Sequence, residues 1–94
     1  MADGNGRRPK LRDLVRSARD QIEDLTGRRV ASVLGLERTD DNGWEMTIEV
    51  FELERIPETT SIMGCYRLEL DEDGDVVEYH RVRRYNRSTP DEDR

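Results

Sequence analysis

The sequence is poor in the residues from which cross-links and enclosed sites are built. Its 94 residues include one cysteine, one histidine, one tryptophan and one phenylalanine. A single cysteine excludes an internal disulfide, and one cysteine with one histidine cannot supply the four ligands of a structural zinc site. Only 33% of the residues are hydrophobic, so we predict one small domain with a thin core. Such a core leaves no room for a deep, enclosed active site.

The chain also lacks long apolar segments. No apolar run approaches the roughly 18 residues that a membrane-spanning helix needs. The first ten residues contain no apolar stretch of the kind that a signal peptide carries. We therefore expect a cytoplasmic protein that does not enter the membrane.

Charge is plentiful and unevenly distributed. Charged residues make up 40% of the chain, and the net charge is −6. Residues 7–29 hold eight basic and four acidic residues (+4), residues 30–78 hold three and fourteen (−11), and residues 79–87 hold four and none (+4). An acidic middle between basic flanks can present surfaces of opposite sign. An ordinary solvated surface would show the same counts.

The stretch from residue 43 to residue 57 is the centre of the predicted fold. Four apolar residues alternate with polar ones, which is typical of a half-buried antiparallel strand: Trp44, Met46, Ile48 and Val50. The alternation then slips by one residue. We predict a β-bulge at Val50–Phe51 that keeps both halves on one core, and a strand end at Pro57, which cannot donate to a ladder. We expect Trp44 to be buried near the C-terminal part of the helix or an adjacent strand.

An amphipathic helix is predicted from Pro9 to Thr26. Its apolar residues recur at steps of three and four: Leu11, Leu14, Val15, Ala18, Ile22 and Leu25. Gly27 suits the residue that ends a helix. Two ion pairs can form at four-residue spacing: Arg16–Asp20 and Arg19–Glu23.

Three further strands complete the prediction: 28–38, 63–71 and 75–87. The fold class is α+β, with one N-terminal amphipathic helix packed on a four-stranded antiparallel meander sheet. We assign residues 9–87 to this single domain, residues 1–8 to a disordered arm and residues 88–94 to a polar tail. The arginines of the fourth strand would guard a sheet edge, so we expect a monomer or a weak dimer.

Two arrangements that suggest chemistry fail on spacing or context. The acidic run 71–75 resembles a calcium loop, but its glycine is fourth rather than sixth, so a hairpin turn is the better interpretation. Cys65 and His80 could lie near each other across the hairpin of the third and fourth strands, and a cysteine beside a histidine can be a nucleophile and its base. No third orienting residue or glycine-rich oxyanion turn accompanies them. We therefore predict no catalytic, cofactor-binding or metal-binding residues.

The fourth strand is the most distinctive surface candidate. By alternation, Tyr79, Arg81, Arg83 and Tyr85 share one face, and His80, Val82 and Arg84 share the other. Tyrosine and arginine are enriched in protein interfaces and also stack on single-stranded nucleic acid. A third possibility is internal pairing with acidic residues of neighbouring strands: Glu45, Glu49, Glu52 or Glu69. The negative net charge and the lack of an RNA-binding motif disfavour nucleic acid.

Three blocks of the sequence resemble a known family. They are Trp44…Glu49-x-x-Glu52-x-x-Arg55-Ile56-Pro57, Tyr66…Leu70-Asp71-x-x-Gly74 and Tyr79-x-Arg81-x-x-Arg84-Tyr85-x-Arg87. The pattern resembles the gas-vesicle protein O family, small accessory proteins of actinobacteria and halophilic archaea. The resemblance covers residues 10–87, and the arginine-rich composition favours an actinobacterial source.

The resemblance implies a non-enzymatic role in gas-vesicle formation and assembly. It implies contacts with other gas-vesicle proteins, including the shell protein, and a cytoplasmic location in association with the vesicle. A small nucleic-acid-binding or regulatory module that uses the fourth strand is the alternative. The motif positions give the candidate partner-binding residues: Glu49, Glu52, Arg55, Tyr79, Arg81, Arg84 and Tyr85.

Overall fold

The computed structural model describes residues 10–88 and shows one helix followed by four strands. The elements are α1 (Leu11–Thr26), β1 (Val30–Arg38), β2 (Trp44–Leu53), β3 (Ile62–Leu70) and β4 (Val76–Asn86), with a short 3-10 helix at Glu58–Thr60. The strands form one antiparallel sheet in the order β1-β2-β3-β4. The predicted α+β class and meander are confirmed. The predicted arm 1–8 and tail residues 89–94 lie outside the described residues.

One side of the sheet, here called the helix face, packs against α1. The helix contributes Leu14, Ala18 and Ile22, all buried. The sheet contributes the rest of the core: Val30, Trp44, Met46, Ile48, Val50, Tyr66, Leu68 and Leu70. Trp44 is buried opposite Leu70 of the adjacent strand, as predicted. The helix ends at Gly27, whose φ of 71° is in the left-handed region that glycine tolerates.

Two side chains tie the helix to both edge strands. Gln21 donates through Nε2 to the carbonyl of Gly74 (3.0 Å) and accepts at Oε1 from the N–H of Val76 (2.8 Å). Glu23 accepts from the N–H of Val30 (2.8 Å). These bonds satisfy backbone groups at the start of β4 and β1, so the helix is fixed across the sheet.

The predicted ion pairs along the helix are wrong. Among residues 10–88, no salt bridge joins Arg16 to Asp20 or Arg19 to Glu23. The carboxylate of Glu23 instead bonds the backbone of β1. An exposed ion pair contributes little free energy, so the hydrogen bond to a strand N–H prevails.

The predicted bulge at Val50–Phe51 is also wrong. Val50 pairs with Gly64 and Phe51 with Met63 in regular register, so the two side chains lie on opposite faces. The irregularity comes one residue later, between Phe51 and Leu53. Phe51 is buried on the side of the sheet away from α1, here called the open face, because the guanidinium of Arg29 lies 4.2 Å from its ring centroid.

The open face therefore has a small apolar cluster of its own, formed by Phe51, Met63 and Cys65. The other elements differ from their predictions only at the ends. β2 stops at Leu53 rather than Pro57, since β3 begins directly opposite at Ile62. The N–H of Arg55 donates to the hydroxyl of Ser61 (3.0 Å), which closes the intervening loop.

We predict that Ile22→Ala lowers the free energy of unfolding by about 2–4 kcal/mol, because it leaves a cavity in the only layer between helix and sheet. Ile22 is fully buried, whereas Leu25 on the same helix is 57% exposed. Urea unfolding followed by tryptophan fluorescence measures the change, with Leu25→Ala as the matched control. Equal midpoints for the two variants would contradict the packing described here.

Candidate functional site

The two faces of β4 differ from the strict alternation that the sequence predicts. The pairing of β3 with β4 shifts twice, so Val77 and Val82 are extra residues in β4. The extra residue Val82 shifts the alternation of side chains between the two faces by one position. Arg84 therefore lies on the helix face, together with Tyr79 and Arg81. Arg83 and Tyr85 lie together on the open face. The predicted grouping of Arg81 with Tyr85 is therefore wrong.

The Glu52 cluster joins three segments on the helix face. The side chain of Glu52 is only 3% exposed. Its carboxylate accepts a hydrogen bond from the hydroxyl of Tyr66 (2.9 Å) and forms salt bridges with Arg28 (3.0 Å) and Arg81 (3.4 Å). Burial, and next the hydrogen bond to Glu52, raise the pKa of Tyr66. Glu52 and Arg81, both predicted to contact a partner, are thus engaged within the protein.

Gly64 provides the space that the Glu52 side chain occupies. A Cβ atom at Gly64 would lie 2.9 Å from Cγ and 3.0 Å from Cδ of Glu52, and closer still to one carboxylate oxygen. Glu52 can therefore cross β3 to reach Arg81 on β4 only because residue 64 has no side chain.

We predict that Gly64→Ala lowers the free energy of unfolding by about 1–3 kcal/mol, since the added methyl displaces a buried, paired carboxylate. Gly35 is the matched control, because it is also a strand glycine but a Cβ atom added there would meet no atom within 4 Å. Thermal melts of Gly64→Ala and Gly35→Ala provide the comparison. If both variants melt like the wild type, Glu52 is not held over β3.

The second cluster lies on the open face around Glu49. Tyr85 donates its hydroxyl hydrogen to the Glu49 carboxylate, whose other oxygen accepts from the hydroxyl of Ser32 (3.2 Å). Cys65 lies directly opposite Glu49 on β3 and is buried. The cluster links β1, β2 and β4 through side chains alone. Glu49 and Tyr85, also predicted as partner-binding residues, therefore have structural partners.

We predict that Tyr85 ionises well above the ordinary tyrosine pKa. Burial raises its pKa, and the hydrogen bond to the Glu49 carboxylate raises it further, since both disfavour the phenolate. The hydrogen bond from Tyr85 should contribute fully to stability below about pH 10, the ordinary tyrosine pKa. This contribution should be lost as the pH rises through the pKa of Tyr85 in the folded protein. Tyrosinate absorbance of the wild type minus that of Tyr85→Phe isolates this titration. Glu49→Gln should move the titration to lower pH, and an unmoved titration would contradict the assignment.

The remaining candidate residues are exposed. Arg55 and Arg84 border a shallow depression of about 410 Å³ whose lining also includes Leu53 and Ile62. No hydrogen bond or ion pair joins either guanidinium to another residue between 10 and 88. Tyr79 is exposed and contacts the ring of Tyr66, with centroids 6.3 Å apart.

The sequence prediction thus combines two kinds of residue. Glu49, Glu52 and Arg81 fix the sheet, Tyr85 both pairs with Glu49 and lines the depression, and Arg55 and Arg84 point outward. The prediction misses Arg28. This residue precedes β1, so no strand alternation indicates that it faces Glu52. The prediction also misses Leu53 as a surface residue, because an apolar residue in an alternating strand is normally assigned to the core.

The structure forms neither a nucleophile–base pair from Cys65 and His80 nor a calcium loop from residues 71–75. Cys65 lies opposite Arg83 and His80 opposite Arg67, so they are not cross-strand partners. The run 71–75 forms the predicted hairpin turn, in which the Asp71 carboxylate accepts from the N–H groups of Asp73 (2.9 Å) and Asp75 (3.0 Å). Within the described part of the chain, no three acidic, cysteine or histidine side chains are arranged to hold a metal ion. The helix in residues 10–88 is too short and too polar to cross a membrane.

Comparison with known proteins gives a family. The family model described as "Gas vesicle synthesis protein GvpO" matches residues 2–91. The chain belongs to this family. The resemblance in the three sequence blocks is thereby confirmed.

Relatives come from bacteria and archaea. Gas vesicle protein O of Streptomyces sp. (strain CB03234) is 43% identical over 83 residues, which are 88% of this chain and 64% of the relative. Gas vesicle protein O1 of Halobacterium salinarum is 36% identical over 70 residues, which are 74% of this chain and 58% of the relative. Gas vesicle protein O of Haloferax mediterranei is 30% identical over 77 residues, covering 82% and 55%. The chain thus spans between 55% and 64% of these relatives' lengths. No solved structure matches.

Proposed function

We propose that this protein acts in gas-vesicle formation as a non-enzymatic accessory protein that binds other gas-vesicle proteins. The family and the relatives' names support a role in the vesicle system. The observation that carries a binding role is the depression beside β4. There, two arginines without a partner among residues 10–88 flank the exposed Leu53 and the half-buried Ile62.

The composition of this depression suits a protein partner. Arg55 and Arg84 offer planar donor groups that pair with carboxylates, and Leu53 (47% exposed) and Ile62 offer apolar area between them. Arginine is enriched among the few interface residues that carry most of the binding energy. We propose a partner segment that carries carboxylates around an apolar residue, and that binds in the cytoplasm at or near the vesicle.

The two internal clusters prepare this surface for binding. Glu52 holds Arg81, and Glu49 holds Tyr85, on either side of Arg84 along β4. Because β4 is already fixed, little conformational entropy remains to be lost when a partner binds. The nucleic-acid alternative is weakened by the same contacts, since the charge of Arg81 is compensated by Glu52.

We predict that Arg55→Glu with Arg84→Glu weakens capture of vesicle proteins by at least about tenfold without loss of the fold, because both anchors reverse charge at the surface. The measurement is affinity capture of proteins co-expressed from a gas-vesicle gene cluster, alongside a thermal melt of each variant. Arg67→Glu is the control, since Arg67 is an exposed arginine on the open face.

Three results would contradict the proposal. Normal capture by a folded Arg55→Glu, Arg84→Glu variant would exclude this depression. Equal loss with Arg67→Glu would indicate a general charge effect. Micromolar binding to labelled single- or double-stranded oligonucleotides, with a steep salt dependence, would favour the nucleic-acid alternative.

A further inference from the structure

A second surface lies at the opposite edge of the sheet, between α1 and β1. A groove of about 640 Å³ runs along the outer flank of the helix, and its apolar lining is Leu11, Val15 and Leu36. Leu11 is 57% exposed, whereas Val15 and Leu36 are half-buried against the core. The buried stripe of α1 is already used on the sheet, so this groove is a separate apolar surface.

Three arginines line the groove at helical spacing: Arg12, Arg16 and Arg19. No salt bridge or side-chain hydrogen bond joins them to another residue in the range 10–88. Arginines elsewhere in the structure do have acidic partners, as Arg28 and Arg29 show. The carboxylate of Glu23, which is four residues after Arg19, is engaged with the N–H of Val30. The groove is thus apolar inside, and its charged lining sets the three arginines against Asp20 and Glu23, which leaves a net positive charge.

The shape and the backbone decide which kind of segment fits. The groove extends from Leu11 to Glu23, roughly 18 Å along the helix axis at about 1.5 Å per residue, or some three helical turns. Strand addition to β1 is disfavoured, because its pairing with β2 shifts register after Val30 and again after Val33. An amphipathic helix can place residues three and four apart along the groove without strand bonds.

We propose that this groove binds an acidic amphipathic helix of a partner protein, whose apolar stripe contacts Leu11, Val15 and Leu36 and whose carboxylates pair with Arg12, Arg16 and Arg19. This surface is distinct from the depression beside β4 and does not depend on the function proposed for that depression. An anionic membrane is the less suitable occupant. The apolar side chains line a concavity rather than a protruding face.

The test uses two designed peptides of about 18 residues, with leucine at steps of three and four. The first carries glutamate at the remaining positions, and the second carries lysine. Each is titrated into the isotopically labelled protein, and backbone amide shifts are recorded by NMR. We expect the glutamate peptide to shift residues of the first three turns of α1 and of β1 near Leu36, with affinity falling as salt is added.

Reversal of the arginines gives the decisive comparison. Arg12→Glu, Arg16→Glu and Arg19→Glu together should weaken binding of the glutamate peptide by at least about tenfold and allow the lysine peptide to bind. The control, Arg67→Glu, changes an exposed arginine on the open face, outside both proposed surfaces, and should leave binding of the glutamate peptide unchanged. This control separates loss of the groove from a general effect of charge reversal.

Four results would overturn the inference. They are no shifts at millimolar glutamate peptide, shifts scattered over the whole sheet, equal binding of the lysine peptide to the wild type, or unchanged affinity after the three reversals. Binding to anionic phosphatidylserine vesicles that is lost with the three reversals, without binding of either peptide, would assign the groove to a membrane surface instead.

Discussion

The buried carboxylate of Glu52 is the constraint on which the sheet most depends. A charge at 3% exposure must be paired, and its partners come from the segment before β1, from β3 and from β4. Leaving such a charge without one partner costs more than the intact pair contributes. The contacts of Glu52 therefore hold Tyr66 of β3 and Arg81 of β4 on the helix face, and they hold Arg28 just before β1. Gly64 and the register shift beside Glu52 are the local conditions that allow it.

All three strand pairings contain register shifts, and these mark where sequence reasoning stops working. The helix, the four strands, the meander and the Asp71–Gly74 turn follow from periodicity and turn residues, because each signal is local. The slip after Val50 is visible in the sequence, but its consequence is not. Two adjacent apolar residues such as Val50 and Phe51 are expected if a bulge keeps both on the core. They are equally expected if the second residue is buried on the opposite face of the sheet. The pairing of Phe51 with Met63 shows that Phe51 is buried on the opposite face, where the guanidinium groups of Arg29 and Arg87 cover its ring, and hydrophobic periodicity does not report such contacts.

The same limit explains the candidate site. The sequence blocks contain residues that pair within the sheet and residues that point outward, and a linear motif does not separate the two. Glu49 and Glu52 differ from Arg55 and Arg84 only in their neighbours across strands, which depend on register. For the arginines of the fourth strand the sequence leaves internal pairing and an interface as alternatives; internal pairing holds for Arg81, and an interface at Arg84 stays a prediction. Arg81 has an internal partner, and Arg84 has no side-chain hydrogen bond or ion pair among residues 10–88.

The net charge of −6 is a poor guide to what the surface offers a partner. Many acids of the middle segment are engaged in internal contacts: Glu45, Glu49, Glu52, Glu54 and Glu58 all bond other side chains. The arginines of the two proposed surfaces lack such contacts among residues 10–88. Arg12, Arg16 and Arg19 lie on α1, Arg55 follows β2 and Arg84 lies near the end of β4. Each place also exposes apolar side chains. The two proposed surfaces involve opposite edge strands of the sheet, and in each of them arginines adjoin an exposed leucine although the chain as a whole is acidic.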